Sequence, residues 1–181
     1  MKSGSTILIT GGSGLVGSAL KKNLASEGHN IYSLVRRKPA QNEFYWNAID
    51  QIDLPQNTKI DAVVHLSGEN VAAGRWSKKI KQRIYESRIL STRLLVERLS
   101  ALDTPPLTFI CASAVGIYGD RKDTILLEST TEDPSANGFL VSVAKDWEQE
   151  AQKYTQNIAN ARVINARIGI VLSPDGGALE K

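Results

Sequence analysis

The sequence predicts an α/β fold in which a doubly wound parallel sheet lies between two layers of helices. Short apolar runs that suit buried strands alternate along the chain with longer segments whose apolar residues recur at helical spacing. This alternation implies right-handed crossovers and a three-layer αβα arrangement. A glycine-rich turn between the first strand and the first helix is the second observation. The 181 residues suffice for one domain, 1–181, with its own core.

The glycine-rich turn follows the apolar run Ile7 to Ile9 and reads Thr10-Gly-Gly-Ser-Gly-Leu-Val-Gly17. It fits the G-x-G-x-x-G and the T-G-x-x-G-x-x-G spacings at the same time. Glycines without Cβ atoms let backbone N–H groups approach a pyrophosphate at a helix N-terminus, where the helix dipole favours negative charge. We therefore predict a dinucleotide site in a Rossmann-type fold, formed by Gly11, Gly12, Ser13, Gly14, Leu15, Val16 and Gly17. A plain glycine turn is the alternative.

Two arginines after the second predicted strand, Ile31 to Val35, indicate which dinucleotide to expect. Arg36 and Arg37 lie 19 and 20 residues after Gly17. An acidic residue in this neighbourhood binds the ribose hydroxyls of NAD, whereas arginine accommodates the 2′-phosphate of NADP. No acid stands in this turn, so NADP is the expected cofactor. A basic surface turn is the alternative.

The remaining elements continue the alternation. Further strands are predicted at Glu43 to Trp46, Asp61 to Leu66, Leu107 to Ala112 and Arg162 to Ile168. Helices are predicted at Trp76 to Leu102 and at Gly138 to Asn157. In the first of these helices the apolar positions that can pack on the sheet are Trp76, Ile80, Ile84, Leu90, Leu94, Leu95 and Leu99. The segment 113–137 has weak periodicity, and a loop of this length is usually functional or mobile.

The composition places the chain among soluble globular proteins. The hydrophobic fraction of 41% and the charged fraction of 23% are ordinary for that class. No apolar run approaches the ~20 residues that span a bilayer, and the N-terminus lacks the apolar core of a signal peptide. The single cysteine, Cys111, cannot form an intrachain disulfide. We expect a cytoplasmic protein with no membrane partner.

The net charge of +3 comes from one segment. Residues 75–98 hold eight Lys or Arg against Glu86 and Glu97, so the rest of the chain is net negative. No aromatic residues are interleaved as in a platform that binds single strands. We therefore expect a solvated basic helix face and no nucleic-acid partner.

Other residues that often carry chemistry have structural explanations. His65 lies in an apolar strand and is expected to be a hydrogen-bonded core histidine. The two histidines and Cys111 are too far apart in the sequence to form a metal-ligand motif, so no metal is expected. Ser113 has no His/Asp partner pattern, which argues against a hydrolase.

Several segments together resemble the extended short-chain dehydrogenase/reductase superfamily. They are the turn up to Gly17, Asp61-Ala-Val-Val-His-Leu-Ser-Gly68 and Ser113-Ala-Val-Gly-Ile-Tyr-Gly119. Further stretches are similar to an atypical NAD-dependent epimerase/dehydratase-like subgroup, some of whose members are labelled cell-division-inhibitor homologues: Gly68-Glu-Asn-Val71, Gly74-Arg-Trp76, Ser87-Arg88, Ala112-Ser-Ala-Val-Gly116 and Asp146-Trp-Glu148. The resemblance implies NADP along the carboxyl ends of the strands, held by the glycine turn, by Arg36 and Arg37, and by Leu66, Ser67 and Gly68.

The resemblance also implies a catalytic Ser, Tyr and Lys, from which this chain departs. The superfamily's lysine lowers the pKa of its tyrosine, so that the phenol exchanges a proton while a hydride moves to or from the nicotinamide. Ser113 stands at the serine position, but the Tyr-x-x-x-Lys position reads Phe139-Leu-Val-Ser-Val143. Tyr118 and Lys122 match the pattern literally, in a loop. Ser113 and Tyr118 are therefore the candidate catalytic residues, and a loop tyrosine lining the nicotinamide site is the alternative for Tyr118.

The resemblance implies a smaller C-terminal region that builds much of the substrate site, and we expect this sequence, which lacks that region, to be the cofactor-binding half of a longer protein. We expect an exposed strand edge and apolar face, and hence self-association, for example as a homodimer. Two functions stay open. One is an NADP-dependent oxidoreductase or epimerase that acts, when full length, on a nucleotide sugar or a small carbonyl or hydroxyl substrate. The other is an NADP(H)-responsive binding or regulatory protein without turnover.

Overall fold

The computed structural model describes residues 4–71, 75–131, 133 and 135–178. Gly74, quoted above for the resemblance, lies outside the described residues. The main elements are β1 (Thr6–Thr10), α1 (Leu15–Ser26), β2 (Asn30–Val35), β3 (Glu43–Tyr45), β4 (Ala62–His65), α2 (Lys78–Ser100), β5 (Thr108–Ala114), α3 (Phe139–Asn157) and β6 (Arg162–Ile168). A 3₁₀ helix, Val115–Tyr118, follows β5, and the hairpin β7 (Leu172–Ser173) and β8 (Gly176–Gly177) follows β6.

Six strands form one parallel sheet in the order β3-β2-β1-β4-β5-β6. The order reverses at β1, which pairs with β2 on one side and with β4 on the other. Leu20 and Leu24 of α1 pack on one face of the sheet, with Ile7, Ile9 and Val64. Residues of α2 and α3 pack on the opposite face, among them Leu95, Leu99, Trp147, Ala151 and Tyr154. The predicted doubly wound, three-layer fold is therefore confirmed.

Helix α2 differs from its prediction at its start and in its buried face. It begins at Lys78 rather than Trp76, because the Ser77 hydroxyl caps it by accepting the Ile80 N–H. Its buried residues are Ile84, Ile89, Ser91, Thr92, Leu95, Val96 and Leu99. The buried face is broader than the predicted stripe because α2 packs against both the sheet and α3. Ser91 and Thr92 are tolerated there because their hydroxyls bond to carbonyls of the preceding turn.

The prediction of a solvated basic face on α2 is wrong for two arginines. Arg88 is partly buried and donates to the carbonyl oxygens of Ile84 and Glu69, while its guanidinium carbon lies 5.2 Å from the Trp147 ring centroid. Arg98 donates through Nε to the Leu54 carbonyl over 2.8 Å. The lysines near the start of α2, Lys78, Lys79 and Lys81, are exposed as expected.

Strand β5 extends two residues past its predicted end, to Ala114, because β6 pairs with it along its whole length. The register places Ser113 beside Arg167. On β6, at the edge of the sheet, Ile164 is 36% exposed. Self-association through this edge stays a prediction.

Within the described ranges, no helix is long and apolar enough to cross a membrane. The same part of the chain holds no cluster of three or more His, Cys, Asp or Glu arranged to hold a metal ion. Cys111 is fully buried, and burial raises the pKa of its thiol.

Candidate functional site

The glycine turn joins β1 to α1 at the point where the strand order reverses. Gly11 has φ +69°, and a Cβ there would lie 2.7 Å from the Leu66 carbonyl carbon. Gly17 is buried, and a Cβ on it would collide with the Gly11 carbonyl oxygen. Gly14 caps α1 without a side-chain hydrogen bond, so the N–H groups at the helix start have no capping side chain in the described residues. The backbone is thus folded as the glycine spacing predicts.

A cleft of about 780 Å³ opens beside this turn. Of the predicted cofactor residues, those that line it are Gly11, Gly12, Ser13, Gly14, Arg36, Arg37, Leu66, Ser67 and Gly68. Leu15 and Val16 line a different groove, on the other side of α1, together with Val171 and Lys22. Gly17 is the packing contact between the helix and the turn.

Thr10 ties the glycine turn to the end of β4. Its Oγ1 accepts the N–H groups of Leu66 and Ser67, each over 3.2 Å. It also lies 2.6 Å from Nδ1 of His65. Since the hydroxyl oxygen already accepts two hydrogens, its own hydrogen goes to Nδ1. The Thr10 side chain thus fixes the first cleft-lining residues after β4.

The bond from Thr10 assigns the tautomer of His65. With Nδ1 as acceptor, the ring proton is on Nε2, which donates to Thr92 Oγ1 over 2.9 Å. Thr92 in turn donates to the Arg88 carbonyl oxygen and accepts the Trp147 indole N–H. Burial, with a contribution from the charge of Arg88, lowers the pKa of His65 to about 3. His65 is therefore a neutral, hydrogen-bonded core histidine, as predicted.

At the end of β2 the cleft holds an acid that the sequence prediction missed. Glu43 is on β3, where it pairs in register with Ser33 of β2, and its carboxylate lines the cleft. Arg37 holds this carboxylate with two hydrogen bonds, Nη1 to Oε2 over 2.7 Å and Nη2 to Oε1 over 2.6 Å. The Ala40 N–H adds a third bond of 2.9 Å. The Arg37 hydrogen bonds, followed by the Ala40 bond, hold the pKa of Glu43 below its ordinary value.

Two other cations line the same end of the cleft. Arg36 is exposed, and Lys21 is a partly buried residue of α1. The Lys21 Cδ lies 2.8 Å from the point that a Cβ on Gly12 would occupy, so the lysine stem runs over the glycine turn. Neither cation forms a hydrogen bond or close ion pair with another residue in the described part of the chain, although the charge of Lys21 adds a small contribution to the lowered pKa of Glu43.

The opposite wall of the cleft is held in place by α2. The Glu69 N–H donates to the Ser87 hydroxyl over 2.9 Å, and Arg88 Nη2 donates to the Glu69 carbonyl over 3.1 Å. A Cβ on Gly68 would lie 2.9 Å from the Arg88 guanidinium carbon. The absence of a side chain at position 68 therefore lets Arg88 support this segment.

Ser113 and Tyr118 lie outside the lining of the cleft. The Ser113 hydroxyl is buried and donates to Glu148 Oε1 over 2.5 Å. Arg167 binds the same carboxylate through Nε and Nη2, over 2.9 and 2.8 Å. Burial opposes ionisation of Glu148, but the bonds from Arg167 and Ser113 outweigh it and lower its pKa. Ser113 is thus part of a buried ion-pair network.

Arg167 also contacts Tyr118, the second candidate catalytic residue. Its guanidinium carbon lies 4.8 Å from the centroid of the Tyr118 ring, which is 8% exposed. Lys122, the literal fourth residue after Tyr118, is exposed and forms an ion pair with Asp120 over 2.8 Å instead. The cation beside the phenol therefore comes from β6, a contact that the local sequence pattern does not indicate.

At the Tyr-x-x-x-Lys position, Phe139 and Val143 make packing contacts. The Phe139 ring packs edge-on against Trp76 at a centroid distance of 5.8 Å, and Lys81 Nζ lies 5.4 Å from its centroid. Val143 is 3% exposed. Neither side chain of this pair carries a proton to exchange.

A doubly wound parallel sheet with a glycine turn at its reversal point defines a Rossmann-type α/β protein. The chain belongs to the NAD dependent epimerase/dehydratase family, whose model matches residues 7–179. The predicted family relationship is therefore confirmed.

Similar proteins support this membership. An epimerase family protein of Mycobacterium bovis is 41% identical over 177 residues, which cover 97% of this chain and 56% of that protein. The chain thus spans about half the length of this relative. A nucleoside-diphosphate sugar epimerase from Corynebacterium glutamicum superposes with a TM-score of 0.80 at 36% identity, covering 98% of this chain and 36% of the other. The human epimerase family protein SDR39U1, solved with NADPH, gives a TM-score of 0.82 at 26% identity, covering 97% and 57%.

Proposed function

We propose that residues 1–181 form an NAD(P)-binding domain that holds NADP(H) in the cleft beside the glycine turn. The observation that carries this proposal is the close approach of Gly11 to the end of β4, where any Cβ would meet the Leu66 carbonyl. The glycine turn thus lies close against the end of β4, and the helix start beside it has no side-chain cap, so backbone N–H groups of the first helical turn can bind a pyrophosphate. The cleft volume of about 780 Å³ lies within the range of cofactor sites.

The preference for NADP rests on the charges at the β2 end of the cleft. Arg36 and Lys21 line it without a hydrogen-bonding partner in the described residues, and the one acid there, Glu43, is bound by Arg37. A phosphate dianion fits such a surplus of positive charge better than a ribose hydroxyl does. The NADPH in the solved structure of the human relative is in keeping with this assignment.

For the full-length protein we propose an oxidoreductase or epimerase reaction on a nucleotide sugar or a small carbonyl or hydroxyl compound. The bound nicotinamide supplies hydride transfer. Ser113 donates its own hydrogen to Glu148, so its oxygen is left to accept a hydrogen bond from a substrate hydroxyl. Tyr118 exchanges a proton with the substrate oxygen. Arg167 is the cation beside its ring, in the role that a lysine has elsewhere in the superfamily.

A turnover assay tests this reaction. We expect the full-length protein to consume NADPH with at least one compound from a panel of carbonyls and nucleotide sugars. Tyr118→Phe should lower kcat about 10²- to 10⁴-fold, the usual contribution of a proton-exchanging group. Tyr32→Phe, at a ring that packs against Phe44 away from Ser113, is the matched control and should leave kcat unchanged. Unchanged turnover in Tyr118→Phe would remove Tyr118 from the reaction.

A second function is an NADP(H)-responsive binding protein without turnover. Phe139 and Val143 favour it, because neither side chain can exchange a proton at the position where the superfamily has its tyrosine and lysine. The discriminating result is tight NADPH binding by the full-length protein with no consumption across the whole substrate panel.

A further inference from the structure

Glu43 brings a carboxylate into the cleft beside β2, the strand whose end reads the ribose in dinucleotide-binding folds. In doubly wound sheets an acid close to the end of the second strand binds the ribose hydroxyls of NAD. This chain has arginines in that turn, but the parallel pairing of β3 with β2 brings the Glu43 carboxylate into the same cleft. The carboxylate is partly enclosed, with a side-chain exposure of 13%.

Arg37 binds both oxygens of the Glu43 carboxylate. Its two N–H groups bind both oxygens side by side, the paired geometry that makes Arg–carboxylate contacts strong and directional. The Ala40 N–H takes a further acceptor position on Oε2. Three of the about four positions on the carboxylate are therefore filled, and its charge is balanced.

The same ion pair determines which cations are available to a phosphate. Arg37 is held by Glu43 and also donates to the Lys38 carbonyl over 3.0 Å. Arg36 and Lys21 line the cleft with no comparable bond in the described residues. They approach the cleft from different elements, the turn after β2 and helix α1.

We propose that Glu43 is a masked ribose-binding acid: Arg37 covers its carboxylate, so the cleft discriminates against NADH, while Arg36 and Lys21 receive the 2′-phosphate of NADPH. This inference rests on the proposed function, since it concerns how that cleft selects its dinucleotide. Arg37 acts through Glu43 and is a positioning residue, and Glu43 is the specificity-determining residue.

Titration calorimetry with NADPH and NADH tests the inference on four forms of the chain: wild type, Arg37→Ala, Glu43→Gln and the double variant. Arg37→Ala uncovers the carboxylate, so NADH should bind about tenfold tighter than to wild type, as expected for a new hydrogen bond to a charged group. The double variant should return NADH affinity to the wild-type value. Glu43→Gln releases Arg37 and should tighten NADPH binding with no gain for NADH.

The outcomes separate this inference from the function on which it rests. Unchanged NADH affinity in Arg37→Ala, or a gain that survives in the double variant, would overturn the masked-acid role while leaving NADP binding intact. Failure of wild type to bind either dinucleotide would overturn the proposed function itself, and this inference with it. Thermal unfolding of each variant verifies that the fold is retained.

Discussion

Gly17 lies directly against the carbonyl oxygen of Gly11, so the first turn of α1 and the glycine loop touch backbone to backbone. No side chain fits between them. This contact holds the helix start close to the end of β1, where the cleft begins. The third glycine of the pattern is therefore required for packing, whereas Gly11, with a positive φ, is required for the turn itself.

Replacing Gly17 by alanine should destabilise the fold. The added Cβ forces the loop and the helix apart, and overpacking of this kind costs about 1–3 kcal/mol in the free energy of unfolding. Urea unfolding followed by circular dichroism measures the change. Gly116→Ala is the matched control, because its φ is not positive and a Cβ there would meet no heavy atom within 4 Å. An equal loss of stability in both variants would contradict this account.

Lys21 should contribute to NADPH binding and not to NADH binding. Lys21→Met keeps the stem that runs over Gly12 and removes the charge, so NADPH affinity should fall about tenfold, the usual effect of losing one charged hydrogen bond. Lys22→Met on the same helix is the control, since Lys22 lines the groove on the other side of α1. Equal effects of the two variants would show that only the net charge matters.

Acid should destabilise the protein through His65. Its pKa is 6.5 when exposed and about 3 in the fold, so the unfolded chain binds a proton that the folded chain does not. The stabilisation by neutral His65 is complete above pH 6.5 and decreases as the pH falls toward 3. Between pH 6.5 and pH 5 the loss should reach about 2 kcal/mol.

Urea unfolding of wild type and His65→Gln from pH about 7.5 to about 5 checks this prediction. Glutamine can accept from Thr10 and donate to Thr92 but does not titrate. Its stability should therefore fall less with acid than that of wild type. Parallel pH profiles for the two proteins would contradict the assigned role of His65.

The local sequence predicts the fold and the glycine turn well, because both depend on neighbouring residues. Apolar runs mark β1, β4 and β5, and the spacing of Gly11, Gly14 and Gly17 determines the turn that the structure shows. His65 was correctly placed in the core because its strand is apolar throughout. The predicted start of α2 and the predicted end of β5 are less accurate, since the first depends on the Ser77 cap and the second on pairing with β6.

The surroundings of the site depend on contacts between elements that are distant in the sequence. Glu43 reaches the cleft because β3 lies beside β2, and Arg167 reaches Tyr118 because β6 lies beside β5. Glu148 joins Ser113 and Arg167 from α3. None of these contacts can be predicted from the spacing of residues within one segment of the sequence. The signal that could have found Glu43 is an acid at the start of the short predicted strand that follows β2.

The central claim, a dinucleotide cleft that selects NADP through Arg36, is tested most directly by titration calorimetry of wild type and Arg36→Ala with NADPH and NADH. Wild type should bind NADPH more tightly than NADH, and Arg36→Ala should lower that preference about tenfold while NADH affinity stays unchanged, because only the 2′-phosphate distinguishes the two ligands and Lys21 remains to bind it. Equal affinity of wild type for both dinucleotides, or a preference that is undiminished in Arg36→Ala, would contradict the claim.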